Sequence, residues 1–272
     1  MIQYEQSLIV SSDSANGALN KNLSSFDVQL HQPISIPREA KNVTLEVANA
    51  VVWNTVPNSS ALRGNNKLYI FTDAGGTSAL PTGVLTTLTI PDGLYSLDSL
   101  KDMLPLLLAA EGLDETLLEI LGNDSTQQVV FKINDSSVWL DFTRGDSPNG
   151  IFGLNSRLVP QAAPTSAAVN YAETDKVAAF NQLNSFLLHC DIVSNGIPVN
   201  AFGQNIIANI PITSKPGSQI VYQPYNPTKV NCSELIDMPI GSFNVYLSDE
   251  KGTLLDNFGD EYSFIMTIKY FA

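Results

Sequence analysis

The stretch GSFNVYLSDEKGTLLDNFGDEYSFIMTIKYF, residues 241–271, alternates apolar and polar side chains in two runs. Phe243, Val245 and Leu247 share one face of the first run; Phe264, Met266, Ile268 and Tyr270 share one face of the second. Successive side chains of a strand point to opposite sides, so a period of two marks strands with one buried and one wet face. Asp249, Gly252, Asp256 and Gly259 supply a turn between the runs.

The same period recurs upstream. Phe26, Val28 and Leu30 alternate with Asp27, Gln29 and His31, and Pro33 and Pro37 then punctuate the chain. Val43, Leu45 and Val47 alternate with Thr44 and Glu46 in a strand that runs on through Trp53. Further short strands are expected at 68–71, 85–90, 185–193, 206–212 and 219–222. The period changes once. Ser96 is placed to cap a helix in which Leu97, Leu100, Met103, Leu104, Leu107 and Leu108 recur at helical spacing, with Pro105 expected to kink or divide it. A second helix is expected from Asp114 through Leu117, Leu118 and Leu121 to Gly122, followed by a hairpin pairing 129–133 with 138–142. Residues 158–170, rich in Ala, Pro, Ser and Thr, read as a long surface excursion.

Together these readings give an all-β fold, an antiparallel jelly-roll sandwich with a helix-plus-hairpin insertion. A single jelly-roll domain over 1–272 is expected, with the insertion at about 73–175 and a flexible N-terminal arm at 1–25, where the run 11–25 is polar and without apolar periodicity.

Charge and motifs narrow the function. The chain carries 14 Lys+Arg against 27 Asp+Glu, a net charge of −13 that repels phosphate backbones and anionic headgroups, so direct nucleic-acid binding is not expected; the most apolar stretch, around Met103 to Ala110, is far short of the roughly 20 residues a span needs, so membrane insertion is not expected either. The first residues lack a basic n-region and a long apolar core, so no signal peptide is read. Cys190 and Cys232 read as buried free thiols. The histidines are His31 and His189; His189 directly precedes Cys190 in a strand, which sends the two side chains to opposite faces, and a pairing of His31 with Cys190 has no motif behind it. Glu46 stands alone on a wet strand face and Asp260 lies in a turn; a glycosidase, the third reading, would need a second carboxylate on a neighbouring inward-facing strand position. The run Asp256-Asn257-Phe258-Gly259-Asp260-Glu261 offers oxygen ligands of the kind calcium takes, without EF-hand spacing, and has the composition of an ordinary turn. No catalytic, cofactor-binding or metal-binding residue is assigned, and no cofactor. Trp53, Trp139, Tyr222 and Tyr225 are the candidates for a sugar-binding platform, although a Trp in an alternating strand such as Val138-Trp139-Leu140 suits a core better.

Several short segments occur in an order that resembles a known family. They are 26–37 with Ala40-Lys41-Asn42-Val43-Thr44-Leu45, Asn54-Thr55-Val56-Pro57-Asn58, and Ile90-Pro91-Asp92-Gly93-Leu94-Tyr95-Ser96 leading into the helix. Gly150-Ile151-Phe152-Gly153-Leu154, Ile210-Pro211-Ile212 and the two closing strands follow. The order resembles penton or minor capsid proteins of tailless double-jelly-roll DNA viruses, such as virophages and Polinton-like viruses. The resemblance implies a structural capsid protein in the virion, made in the host cytoplasm. In that role five copies form a homopentamer at the five-fold vertex, beside the neighbouring major capsid protein and in contact with a spike or receptor. It brings no catalytic residues. The alternative from the residues themselves is a carbohydrate- or receptor-binding β-sandwich module.

Overall fold

The structure, a computed structural model, describes residues 2–75, 82–160, 170–181, 183–194, 196–198 and 205–272. The chain opens with β1 (Gln3–Ser11), β2 (Ala18–Asn22), β3 (Ser25–Ile34) and β4 (Lys41–Trp53). It continues through β5 (Lys67–Gly75), β6 (Thr82–Thr89), α1 (Leu97–Ala110), β7 (Leu118–Asn123), β8 (Gln128–Ile133), β9 (Trp139–Asp141), α2 (Asn149–Phe152), β10 (Leu158–Val159) and β11 (Asn170–Glu173). It closes with β12 (Ser185–Cys190), β13 (Ile206–Pro211), β14 (Gln219–Tyr222), β15 (Val230–Asn231), β16 (Ile240–Ser248) and β17 (Ser263–Phe271). Two compact units result: residues 1–56 with 183–272, and residues 57–182.

The first unit is a jelly roll. One sheet has the order β1-β17-β4-β14, with β15 also pairing β4; the other has the order β13-β12-β16-β3-β2. The antiparallel pairs nest: β1 with β17, β3 with β16, β4 with β14, and β12 with β13. A ribbon folded on itself in this way and then rolled gives the two Greek keys of a jelly roll. The two closing strands accordingly lie in opposite sheets, and 249–262 crosses between them. Their apolar faces meet: Phe243, Val245, Leu247, Phe264, Met266 and Ile268 are all buried in one core with Phe26, Val43 and Leu45. Each such side chain contributes on the order of 1.5–3 kcal/mol by leaving water.

β4 keeps its inner face over 13 residues by a bulge. Val43, Leu45 and Val47 are buried, then Ala50 and Val52. Val47 pairs with Met266 and Asn49 with Ile265, which leaves Ala48 as the extra residue that resets the phase.

The expected N-terminal arm is instead structure. β1 pairs with β17 along nine residues, and β2 pairs with β3. The polarity of the run 11–25 misled because β2, which lies within it, is an edge strand with only Ala18 buried, and β1 before it likewise buries only Val10.

The second unit has its own core, in which the rings of Phe131, Phe142 and Phe152 pack 5.2–6.2 Å apart. Its sheets have the orders β10-β9-β5-β6 and β11-β8-β7. Helix α1 is capped by Ser96 in a capping box with Ser99 and runs undivided through Pro105, because Leu100, Leu104 and Leu108 anchor both sides of the proline in that core. The expected second helix is β7. Leu118 and Ile120 are buried two apart, and a Cβ on Gly122 would stand 2.8 Å from the Leu97 side chain, so a glycine lets α1 approach the strand. The expected hairpin does not form either: β8 pairs with β7 and β11, while β9 pairs with β5 and β10. Pairing with distant strands wins over the local turn.

This unit begins earlier and ends later than 73–175 because its ends are tied together. The Asn58 side-chain amide donates to the Tyr95 and Phe180 carbonyls, both at 2.8 Å, and its oxygen accepts from the Tyr95 N–H at 2.9 Å. Of the expected excursion at 158–170, residues 161–169 lie outside the described residues; 158–159 form β10.

Candidate functional site

Chemistry-bearing side chains gather around His189. On β12, Phe186, Leu188 and Cys190 enter the core, so His189 takes the opposite face, yet it is 4% exposed. Its Nδ1 lies 2.8 Å from Asn205 Oδ1 and its Nε2 lies 2.8 Å from Ser248 Oγ, and its ring stacks on Tyr246 at 4.2 Å. Serine, histidine and a third orienting group is the order of a nucleophilic triad. The serine is not available for it: Ser248 is fully buried, so no substrate reaches its hydroxyl, which lies 3.0 Å from the Asp249 carbonyl oxygen as well as beside the imidazole. The cluster is a polar clasp joining β12, β16 and Asn205. Burial, partly opposed by the Asn205 hydrogen bond, holds the His189 pKa below its ordinary value. Sequence reading missed Asn205 and Ser248, since residues 16 and 59 positions away share no local motif with the histidine. His31 is exposed on β3 and Cys190 is buried on β12, two strands that are not neighbours.

Glu46 corrects the expectation of a lone carboxylate on a wet face. It is buried and forms an ion pair with Lys269, which also has Glu5 Oε1 at 3.9 Å. The cause is register: β17 sets Thr267 opposite Glu46 and Lys269 opposite Thr44, so the lysine stem crosses to the carboxylate. The hydrogen bond to Glu46 raises the Lys269 pKa.

The Asp256 to Glu261 turn satisfies much of its polarity internally. Asp256 Oδ1 accepts from the Phe258 N–H at 2.9 Å, the Asn257 amide donates to the Asp260 carbonyl at 2.5 Å, and Phe258 and Gly259 take left-handed φ values of 51° and 76°. Among the described residues, no three His, Cys, Asp or Glu side chains are placed to hold a metal ion. Cys190 and Cys232 are free and buried, and burial pushes both thiols up to about 12. Among the described residues, no helix is long and apolar enough to cross a membrane.

The aromatic candidates are not brought to one face. Trp139 is buried on β9, on the face opposite Val138 and Leu140, Tyr222 packs against the jelly-roll core, and Trp53 is half-buried on β4. Tyr225 is different: it stands 97% exposed on the loop between β14 and β15. On the other edge of the same sheet, β1 leaves Ile9 81% exposed, along with Ile2 and Tyr4. The jelly roll therefore carries exposed apolar side chains on both edges of one sheet.

No family model and no curated protein matches the chain. Among solved structures, the chain is similar to the mavirus penton protein, with a TM-score of 0.50 and 10% sequence identity over 99% of this chain and 100% of that one. It also aligns with a chain of the Sputnik virophage, with a TM-score of 0.44 and 14% identity over 98% and 97% of the two chains. The all-β jelly-roll sandwich expected from the sequence is thus the fold shared with the mavirus penton protein.

Proposed function

We propose that this chain is a structural subunit of an icosahedral virus shell, placed in the virion as the penton that closes the five-fold vertex. The observation that carries the reading is the end-to-end likeness in fold to the mavirus penton protein, which takes in both the jelly roll and residues 57–182. A rigid sandwich whose sheet edges bear exposed apolar side chains suits repeated contact with further chains. In this reading the partners are four more copies of the chain and the neighbouring major capsid protein. The subunit has no catalytic task, and residues 57–182 are the place for contact with a spike or receptor. The sugar-platform reading has less behind it, because Trp53, Trp139 and Tyr222 do not share an open face with Tyr225. Native mass of the purified chain, by light scattering or native mass spectrometry, tests the proposal. A pentamer is the expected species. A chain that stays monomeric at the highest attainable concentration overturns it and moves the binding module to first place.

A further inference from the structure

Resting on that reading, the two edges of the β1-β17-β4-β14 sheet differ in a way that bears on how copies meet. β1 is unpaired on its outer side among the described residues. Ile2 and Ala272 exchange backbone hydrogen bonds, so the even-numbered residues of β1 bond β17; the N–H and C=O groups of Gln3, Glu5, Ser7, Ile9 and Ser11 point away from the sheet. Residues 2–13 carry Glu5 and Asp13 and no Lys or Arg. The opposite edge has the reverse character. From 192 to 233 the chain contains no Asp or Glu, and its charges are Lys215 and Lys229, which bracket β14 and Tyr225. In a chain of net charge −13, a stretch of 42 residues without an acid stands out, and its part from β14 to β15, residues 219–231, lies across the sheet from an edge without a base.

The register aligns the two edges. Followed strand by strand, Ser11 pairs with Ser263, Ser263 with Val51, and Val51 with Val221. Likewise Glu5 pairs with Lys269, Lys269 with Thr44, and Thr44 with Asn231, two residues from Lys229. Ile9 leads through Ile265 to Asn49, one residue beyond the Ala50–Tyr222 pair and so level with the start of the loop that carries Tyr225. Because neighbouring strands alternate in direction, β1 and β14 run oppositely. Rotation about an axis parallel to the strands keeps both directions and levels. It lays β1 of one copy antiparallel along β14 of the next, with Glu5 near Lys229, Asp13 toward Lys215 and Ile9 beside Tyr225.

We infer that copies of this chain join head to tail, the acidic β1 edge of one docking on the basic, Tyr225-bearing β14 edge of the next. Two unlike surfaces on opposite sides of one subunit make a heterologous contact, and only such a contact repeats around a ring. Pro224 and Pro227 stiffen the backbone on both sides of Tyr225, which reduces the ordering cost when the ring is buried against a partner. The charges select the unlike edge, since β1 against β1 sets acid on acid.

A disulfide trap on the full chain reads this contact, and the native thiols stay out of it because both are buried. Ile9→Cys/Tyr225→Cys, both at exposed positions, is expected to give on mild oxidation a covalent ladder that ends at the native ring mass. Neither single variant should cross-link, and a mixture of the two single variants should give cross-linked pairs only. Lys229→Glu is expected to slow the ladder at least tenfold at low ionic strength; an unchanged rate overturns the charge pairing. Cross-linked dimers from either single variant would show a symmetric contact and overturn the inference. An oligomer by light scattering without a ladder overturns this interface and leaves the vertex reading standing. A monomer at every concentration removes both.

Discussion

Glu46 is the residue at which chemistry and stability meet. Its carboxylate is 7% exposed and lies against Lys269, whose side chain is 24% exposed. Removing one partner of a buried pair commonly costs about 3–5 kcal/mol, because the remaining charge is stranded. Lys269 keeps contact with water, so Lys269→Met is expected to lower stability by about 2–3 kcal/mol in urea unfolding. Glu46→Gln/Lys269→Met should recover most of the loss; an unchanged midpoint for the single variant would make the pair an ordinary surface contact. His189 sets a pH dependence of known sign. Burial holds its folded pKa below the unfolded value, so the unfolded chain takes up a proton first as pH falls. The stability of the neutral clasp is fully present above about pH 6.5 and declines as pH drops from there toward the folded pKa, by at most about 1.4 kcal/mol per pH unit for one proton. Of the nearby acids, Asp249 accepts from the Lys251 and Thr253 N–H groups and Asp191 from the Asn244 N–H, so each carboxylate is already engaged. Thermal unfolding of His189→Gln against the parent from pH 7.5 to 5 checks this: the variant should be less stable at neutral pH and should lose that part of the slope.

At the scale of elements, β1 decides whether the N-terminus is an arm or part of the fold. It pairs with β17 over its whole length, and Val10 is buried in the jelly-roll core. Deleting residues 1–12 is therefore expected to unfold the jelly roll or to lower its melting temperature by more than 10 °C, as judged by far-ultraviolet circular dichroism. A dispensable arm would leave the melt unchanged. β7 teaches the converse lesson. Leu117, Leu118 and Leu121 match a helix by spacing, and Leu118 and Ile120 match a strand; the period is ambiguous over so short a run. Pairing with β8 and packing beneath α1, through the gap left at Gly122, settle the choice.

For the whole molecule, two cores imply two folding bodies. Residues 57–182 bury their own set of apolar side chains, from Leu68 to Val159, and their ends are fastened together by Asn58. A fragment of 57–182 is expected to fold alone, with dispersed amide resonances and a cooperative melt, because a core of this size reaches that of many independent domains. A fragment that stays unstructured would show that this core depends on the jelly roll.

The sequence by itself determined the fold class, because a period of two over the closing strands admits little but half-buried strands, and it determined α1, whose cap and leucine stripe are local signals. Acidity set the sign of the surface, and the order of short segments matched the fold shared with the mavirus penton protein. Only the tertiary structure decided that β1 is a strand, that Glu46 is buried and paired, that Ser248 and Asn205 clasp His189, and that residues 57–182 stand as a unit. Each of these rests on contacts between residues far apart in the chain: 223 positions separate Glu46 from Lys269, and β1 meets β17 across nearly the whole chain. Periodicity reports which face of a segment is buried, and it carries no information about which distant segment covers that face.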